Sequence, residues 1–167
     1  MTRSRMLYAL LAAVMIALDR VTKLAVAEHM QLYDSTAVIG GFFNLVHTRN
    51  TGIAFSMLAD AQPFVKEYII PAFSTAAMGF IVYLFWRAGQ TGRRTLTGLS
   101  LILAGAAGNL YDRFAYGYVV DFLDFYVGSY HWPAFNVADS CITIGAGLLL
   151  LDSFLSQQQA EREPESA

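Results

Sequence analysis

Four long apolar segments limit the folds that this chain can adopt. They fall at about residues 6–27, 68–86, 96–113 and 136–155. A helix needs about 20 mostly apolar residues to cross the hydrocarbon core of a bilayer. Charged residues make up only 14% of the chain and hydrophobic residues 56%, whereas about 25% of the residues in soluble domains are charged. We therefore predict a mainly α-helical membrane protein with four transmembrane helices.

The first apolar segment also has features of a secretory signal peptide. Two arginines precede the apolar run 7–18, and residues 25–27 offer an A-x-A cleavage site. Asp19 and Lys23, however, stand between the apolar run and that site. A helix that continues to the end of the site is close to the length of a membrane span. We therefore predict a retained transmembrane helix.

The region between the first two apolar segments has the pattern of β-structure. Residues 42–50 alternate in character as strand residues do, and Gly40 and Gly41 precede them. Asn50 and Gly52 then interrupt an apolar stretch in the way that turn residues do. We predict a small extracytoplasmic sheet at about residues 36–58, lying on the membrane surface.

The basic residues predict the orientation of the chain in the membrane. Cytoplasmic loops carry an excess of Lys and Arg. The arginines concentrate before the first segment and between the second and third, at Arg3, Arg5, Arg87, Arg93 and Arg94. Both termini are therefore expected in the cytoplasm. We expect residues 1–156 to form one domain, a monomer, and the polar residues 157–167 to form a disordered cytoplasmic tail.

Polar residues recur at a similar depth in three of the four segments. Positions 105, 109 and 112 share one helical stripe, as do 19 with 23 and 136 with 139. Charged and amide side chains are too polar to face lipid, so together they indicate a buried site near the outer surface. Its candidate members are Asp19, Lys23, Gly105, Asn109, Asp112, Arg113, Asn136 and Asp139. The alternative for Lys23 is a side chain that only reaches toward the interface beside Asp19.

Two acids, Asp121 and Asp139, stand where hydrocarbon gives way to water. Each is embedded in apolar and aromatic residues, and an unpaired charge there is costly. Two close carboxyls cannot both ionise, so they share one proton and supply an acid and a base together. The alternative is structural: each acid caps a helix or pairs with a base such as Arg113.

The sequence argues against several other functional classes. The formal net charge of −2 leaves no basic surface for nucleic acid. The sequence contains no G-x-S-x-G or H-E-x-x-H motif, and its three histidines are scattered, so we expect no metal or other cofactor. A proton-coupled transporter with intramembrane acids remains an alternative to acid–base catalysis. So does an interaction subunit that binds a partner helix.

Five blocks of the sequence carry a combined signature. They are Asp19-Arg20-Val21-Thr22-Lys23, Asn50-Thr51-Gly52-Ile53-Ala54-Phe55, Gly105 through Asn109 to Asp112-Arg113, Val120-Asp121-Phe122, and Phe135-Asn136-Val137-Ala138-Asp139. In this order they resemble the lipoprotein signal peptidase family, also called signal peptidase II. The resemblance implies four transmembrane helices with an outer β-cradle. It implies an aspartic endopeptidase of the bacterial cytoplasmic (inner) membrane. Its partners would be membrane lipid and a prolipoprotein substrate, which it would cleave on the N-terminal side of a diacylglyceryl-cysteine.

The same resemblance assigns roles to individual residues. It places the catalytic pair on Asp121 and Asp139. It places substrate-binding or supporting roles on Asp19, Lys23, Asn50, Gly105, Asn109, Asp112, Arg113 and Asn136. Arg20, Ile53 and Ala104 depart from the Gln, Ala and Gly that are usual in the family, and none of them removes a polar group that the chemistry needs.

Three finer expectations concern the surroundings of the two acids. Asn50 and Asn136 are expected to hold the substrate backbone, and Arg113 to pair with Asp112. Residues 118–127 are rich in Val, Phe and Tyr, as strands are. Positions three apart on a strand face opposite sides, so Asp124 should point away from Asp139, toward water.

Overall fold

The computed structural model describes residues 3–52, 61–88 and 92–162, and is mainly helical with a small antiparallel sheet. The long helices are α1 (Arg3–His29), α2 (Ile70–Arg87), α3 (Arg93–Tyr116) and α4 (Val137–Arg162). A π-helical turn, Val65–Ile69, leads directly into α2. The strands are β1 (Ser35–Ile39), β2 (Phe43–Asn50), β3 (Val119–Val127) and β4 (Tyr130–His131), and they pair in the order β1-β2-β3-β4.

Two helical stretches among the described residues are long and apolar enough to cross a membrane. They are Val65–Arg87 and Val137–Gln159. Polar and charged residues interrupt the apolar sequence of α1 and α3, so hydropathy alone does not identify these helices as spans. α1 and α3 supply most of the buried charged side chains described below.

The sheet confirms the strands that alternation and composition predict. β2 pairs antiparallel with β3, so that Asn50 lies opposite Val119 and Thr48 opposite Asp121. Residues 53–58 of the predicted outer β-region, which include Ile53 of the loop motif, lie outside the described residues. β1 and β2 occupy the remainder, and β3 joins them from a distant part of the chain.

The last helix runs further than its hydropathy indicates. α4 continues to Arg162, so the disorder expected from residue 157 onward is corrected for residues 157–162. Gln, Ala, Glu and Arg are favourable helix formers, and they extend α4 beyond its apolar part. Residues 163–167 lie outside the described part of the chain.

Glycines allow α3 and α4 to pack closely. A Cβ on Gly145 of α4 would lie 2.6 Å from the carbonyl oxygen of Gly98 and 2.7 Å from Cγ1 of Ile102, both in α3. A Cβ on Gly105 of α3 would overlap the carbonyl oxygen of Ala138 in the first turn of α4. Small residues at such interfaces bring helix backbones together in membranes. The close approach also brings the polar stripe of α3 beside the start of α4.

Replacing Gly145 by alanine should destabilise the protein. The added methyl group would push α3 and α4 apart, and overpacking of this kind costs roughly 1–3 kcal/mol. We expect Gly145→Ala to lower the midpoint of thermal unfolding in detergent by several degrees. Gly79→Ala in α2 is the matched control, because no atom lies within 4 Å of the position of its Cβ. Equal midpoints for the two variants would contradict the close packing.

Candidate active site

Asp121 is the third residue of β3 and is only 2% exposed. The chain after β4 returns to β3, where the carbonyl oxygen of Phe135 accepts hydrogen bonds from the N–H groups of Phe122 and Leu123. This pairing places Asn136 beside Asp121. Asn136 Nδ2 donates to Asp121 Oδ1 at 2.7 Å, and Asn50 Nδ2 donates to Asp121 Oδ2 at 3.0 Å. Both oxygens of the carboxyl group are therefore occupied.

Asp139 lies in the first turn of α4, where a reciprocal cap holds it. Asn136 Oδ1 accepts from the backbone N–H of Asp139 at 2.9 Å, and Asp139 Oδ2 accepts from the backbone N–H of Asn136 at 3.3 Å. Capping by Asn and an acid in the first turn both favour the start of a helix. Asn109 Nδ2 of α3 donates to Asp139 Oδ1 at 2.7 Å. The structural role considered for this acid is therefore real, and it also fixes where the carboxyl group points.

Hydrogen bonds to their side-chain carbonyl oxygens orient the amide groups of three asparagines. The carbonyl oxygen of Asn50 accepts from the backbone N–H of Gly52 at 2.9 Å, and that of Asn109 accepts from Lys23 Nζ at 2.9 Å. The carbonyl oxygen of Asn136 is held by the Asp139 N–H, as described above. An amide has its acceptor and its two donors at opposite ends. With each oxygen engaged, each NH₂ group faces an aspartate.

Buried charges of α1 and α3 support this arrangement. Lys23 Nζ lies 2.8 Å from Asp19 Oδ2 and 2.8 Å from Asp112 Oδ2, and all three side chains are at most 2% exposed. The alternative of a lysine that only reaches toward the interface is therefore wrong, because Lys23 is enclosed by acids. Asp19 Oδ1 also accepts from the backbone N–H of Ala138 at 2.8 Å, which connects α1 to the start of α4. Removing one partner of a buried pair typically costs about 3–5 kcal/mol.

Arg20, a departure from the family pattern, joins the same network. Its NH1 group lies 3.1 Å from Asp112 Oδ1, and its NH2 group donates to the Tyr116 hydroxyl. The guanidinium group also lies 5.0 Å from the ring centroids of both Tyr111 and Tyr116. Arg20 thus supplies a second positive charge to Asp112.

Arg113 does not pair with Asp112, which corrects the expectation from the sequence. Neighbouring residues of a helix do not face each other, and Asp112 points toward Lys23 while Arg113 points toward the turn after β2. Arg113 NH2 donates to the carbonyl oxygen of Gly52 at 2.9 Å, and NH1 donates to that of Asn109 at 3.2 Å. Sequence reasoning gave no role to Gly52 beyond turn formation. Its N–H orients Asn50 and its carbonyl group binds Arg113.

Asp124 points away from Asp121, as predicted from the strand, but not toward water. It is 7% exposed, because Asn44 lies opposite it on β2 and donates to its Oδ2 at 2.9 Å. On the other side, Nδ1 of His131 lies 2.9 Å from Asp124 Oδ1. The expected solvent exposure is therefore wrong. A strand prediction gives the face of a residue but not what covers that face.

The surroundings of Asp121 raise its pKa from 3.8 to about 7. Burial is the largest cause, since it disfavours the charged form, and the charge of nearby Asp139 acts in the same direction. Hydrogen bonds from Asn50 and Asn136 oppose the shift. Asp121 can therefore hold a proton near neutral pH.

A cavity of about 770 Å³ opens beside Asp139. Asn50, Trp132 and Phe135 line its outer end, and mostly apolar residues of α4 line the remainder. Pockets of 300–1,000 Å³ are typical of binding sites for small molecules and cofactors. Among the described residues no group of three or more His, Cys, Asp or Glu side chains is placed to hold a metal ion. The arrangement is suited to acid–base chemistry by two carboxyls at the edge of an apolar groove.

The chain is similar to known proteins over most of its length. Residues 11–155 match the family described as Signal peptidase (SPase) II. A lipoprotein signal peptidase from Desulforapulum autotrophicum is 50% identical over 144 residues, which cover 86% of this chain and 89% of that protein. Another from Solibacter usitatus is 46% identical over 149 residues, covering 89% of this chain and 91% of that protein.

Solved structures agree with the sequence relatives. A bacterial membrane enzyme determined by the in meso method at 2.3 Å resolution superposes with a TM-score of 0.79 and 34% identity, covering 96% of this chain and 94% of that one. A second bacterial membrane enzyme structure, at 1.9 Å resolution, gives a TM-score of 0.77 at 34% identity, covering 86% of this chain and 90% of that one. The chain therefore belongs to the signal peptidase II family.

Proposed function

We propose that this protein is an aspartic endopeptidase that removes signal peptides from prolipoproteins, with Asp121 and Asp139 as its catalytic pair. The observation that carries the assignment of the pair is the position of Asn136. Its side-chain amide donates to Asp121 while its backbone N–H donates to Asp139. One residue thus bridges acids from β3 and α4. Family membership supports the reaction, and it leaves the transporter alternative without support.

The two carboxyls divide the work of hydrolysis between them. The ionised carboxylate takes a proton from a water molecule as that water attacks the scissile carbonyl carbon. The protonated carboxyl, a role that the raised pKa of Asp121 allows near neutral pH, donates to the carbonyl oxygen. As the tetrahedral intermediate collapses, the carboxyl that took the water's proton gives a proton to the departing nitrogen, and the C–N bond breaks. The other carboxylate takes a proton from a hydroxyl group of the intermediate as C=O forms again, which restores the pair. The pair titrates as a unit.

In this proposal Asn50 and Asn136 act on Asp121; a contact of either amide with the substrate backbone stays a prediction. Asn109 plays the corresponding part for Asp139. Each amide favours the ionised form of the acid that it contacts, while burial opposes it. The balance keeps one proton on the pair at a pH at which isolated carboxyls would have lost theirs.

The proposed location is the bacterial cytoplasmic membrane, with four transmembrane helices and both termini in the cytoplasm. α1 and α3 turn their charged residues inward, where Asp19, Lys23 and Asp112 are buried. Their other faces expose large apolar side chains such as Leu7, Leu10 and Phe114. Helices with buried charges and exposed apolar surfaces are suited to lipid. This topology puts the acids and the sheet at the outer face, with a single chain containing the complete site.

The proposed substrate carries a diacylglyceryl group on the cysteine that follows the scissile bond. The cavity beside Asp139 is lined mostly by apolar residues, so it has few means of holding a peptide by polar contacts alone. Each buried CH₂ of a lipid contributes about 0.8 kcal/mol to membrane anchoring. The lipid therefore keeps the cysteine at the depth of the two acids.

Purified protein in detergent should release the signal peptide from a diacylglyceryl-modified prolipoprotein. The same precursor without the lipid should be cleaved at least tenfold more slowly, because it lacks the anchor that places the scissile bond. Gel mobility and mass spectrometry of the products measure both rates and locate the cut before the modified cysteine. No cleavage of the modified precursor, or equal rates for the two precursors, would contradict the proposal.

Substitutions that remove charge but preserve size should separate the catalytic acids from their neighbour. Asp121→Asn and Asp139→Asn should each abolish cleavage, because one carboxyl cannot supply both acid and base. Asp124→Asn is the matched control on the same strand and should keep most of the activity, since Asp124 contacts Asn44 and His131 instead of the pair. Thermal unfolding of each variant checks that it still folds. An active Asp121→Asn variant beside an inactive Asp124→Asn variant would show that the pair is misassigned.

A further inference from the structure

Arg20 balances the charge of a buried cluster formed by Asp19, Lys23 and Asp112. Within the cluster two carboxylates face one ammonium group, at 2.8 Å each. Arg20 adds a second cation, because its NH1 group donates to Asp112 Oδ1 at 3.1 Å. Its side chain is 28% exposed, whereas the three side chains of the cluster are at most 2% exposed. Arg20 therefore neutralises the cluster from the exposed side.

The guanidinium group of Arg20 is held in place by α3. It lies 5.0 Å from the ring centroids of both Tyr111 and Tyr116, and its NH2 group donates to the Tyr116 hydroxyl. A cation above an aromatic ring is attracted to the ring face. The family usually has glutamine at this position. A glutamine can form a hydrogen bond with Asp112, but it carries no charge.

The cluster is connected to the two candidate catalytic acids through Asn109. Lys23 Nζ donates to the side-chain oxygen of Asn109 at 2.9 Å, and Asn109 Nδ2 donates to Asp139 Oδ1 at 2.7 Å. The effect of this proximity extends to Asp121, because the positive charge of Lys23 lowers the pKa of that acid. A change in the net charge of the cluster should therefore be felt by the pair.

The other groups that face the pair do not depend on Arg20. Arg113 of α3 is close enough for its charge to interact with both acids, and its hydrogen bonds go to carbonyl oxygens of Gly52 and Asn109. From β2, Asp121 is contacted by the uncharged amide of Asn50. A substitution of Arg20 thus leaves these groups in place and changes the charge of the cluster.

We propose that Arg20 acts on the catalytic pair at a distance: by neutralising the cluster of Asp19, Lys23 and Asp112, it keeps the pair active at lower pH than glutamine at the same position allows. This inference rests on the proposed function. Arg20 touches neither acid and is a positioning residue. Without its positive charge the cluster is left with one excess negative charge, which favours the protonated state of nearby acids.

The test measures kcat for the diacylglyceryl-modified precursor against pH, over the range in which the protein stays folded. Across roughly 10 Å of protein, one elementary charge changes the pKa of an acid by roughly one unit. Solvent weakens the effect of a partly exposed group such as Arg20. We expect Arg20→Gln to move both limbs of the pH profile upward by about half a pH unit. Arg20→Lys keeps the charge and should leave the profile in place.

A second substitution separates charge from packing. Asp112→Asn removes a negative charge while Arg20 stays, so it should move the profile downward. The double variant with Arg20→Gln and Asp112→Asn leaves one carboxylate and one ammonium group in the cluster. Its profile should return to that of the unmodified protein. A role in packing alone predicts no such restoration, because the second substitution removes a further contact.

Arg94→Gln is the matched control. Arg94 is also an arginine paired with an acid of another helix, Asp152, at 3.8 Å. It lies in the first turn of α3, whereas Asp112 lies near the end of that helix. The control should leave the pH profile unchanged. Thermal unfolding of every variant in detergent checks that it folds, and the opposite shifts of the two single variants keep the test available if one of them does not.

Three outcomes would overturn the inference while leaving the proposed function intact. One is a profile of Arg20→Gln that is lower at every pH without a shift, since that result assigns Arg20 to packing alone. Another is a double variant that remains shifted. The third is an equal shift in Arg94→Gln, which would indicate a general effect of surface charge. Failure of the unmodified protein to cleave the precursor at any pH would instead overturn the proposed function.

Discussion

The hydrogen bonds from asparagine amides to two carboxyl groups set the requirements that the surrounding fold has to meet. A buried amide helps an adjacent carboxylate only when its NH₂ end faces that carboxylate, since the opposite orientation places oxygen against oxygen. In Asn50, Asn109 and Asn136 the side-chain carbonyl oxygen accepts a hydrogen bond from another part of the protein. Those donors come from the turn after β2, from α1 and from the first turn of α4. Three separate parts of the chain thus orient the asparagine amides of the site.

The charged residues of α1 and α3 follow from the same requirement. A lysine ammonium is a suitable donor for the Asn109 oxygen, but a lone buried cation is costly. Asp19 and Asp112 neutralise Lys23, and Arg20 gives Asp112 a second partner. The absence of a side chain at Gly108 leaves space for the Asp19 carboxylate. A Cβ on Gly108 of α3 would lie 2.6 Å from Asp19 Oδ2, so a larger residue there would displace the carboxylate that holds Lys23.

Much of the fold and of the site can be predicted from the pattern of the sequence. The parts that cannot be predicted depend on contacts between distant elements. The helices, the strands β2 and β3, and the inward direction of Asp19 with Lys23 follow from periodicity and from the cost of charge in lipid. The partner of Arg113 and the cover over Asp124 do not, because each depends on which distant element packs against it. Arg113 reaches Gly52, and Asp124 is covered by Asn44 and His131. Those contacts are set by strand register and helix crossing, which one sequence does not reveal.

A direct titration of Asp121 distinguishes a proton-sharing pair from two ordinary acids. The infrared band of a protonated carboxyl group can be followed against pH in the purified protein. We expect a band that titrates with a midpoint of about 7 and that is absent in Asp121→Asn. Asn50→Ala should move the midpoint to higher pH, because it removes a donor that stabilises the carboxylate. Thr48→Val should not move it, since Thr48 donates only to the backbone carbonyl of Asp121. A midpoint near the ordinary value of 3.8, or a titration step near pH 7 that persists in Asp121→Asn, would contradict the proposed chemistry.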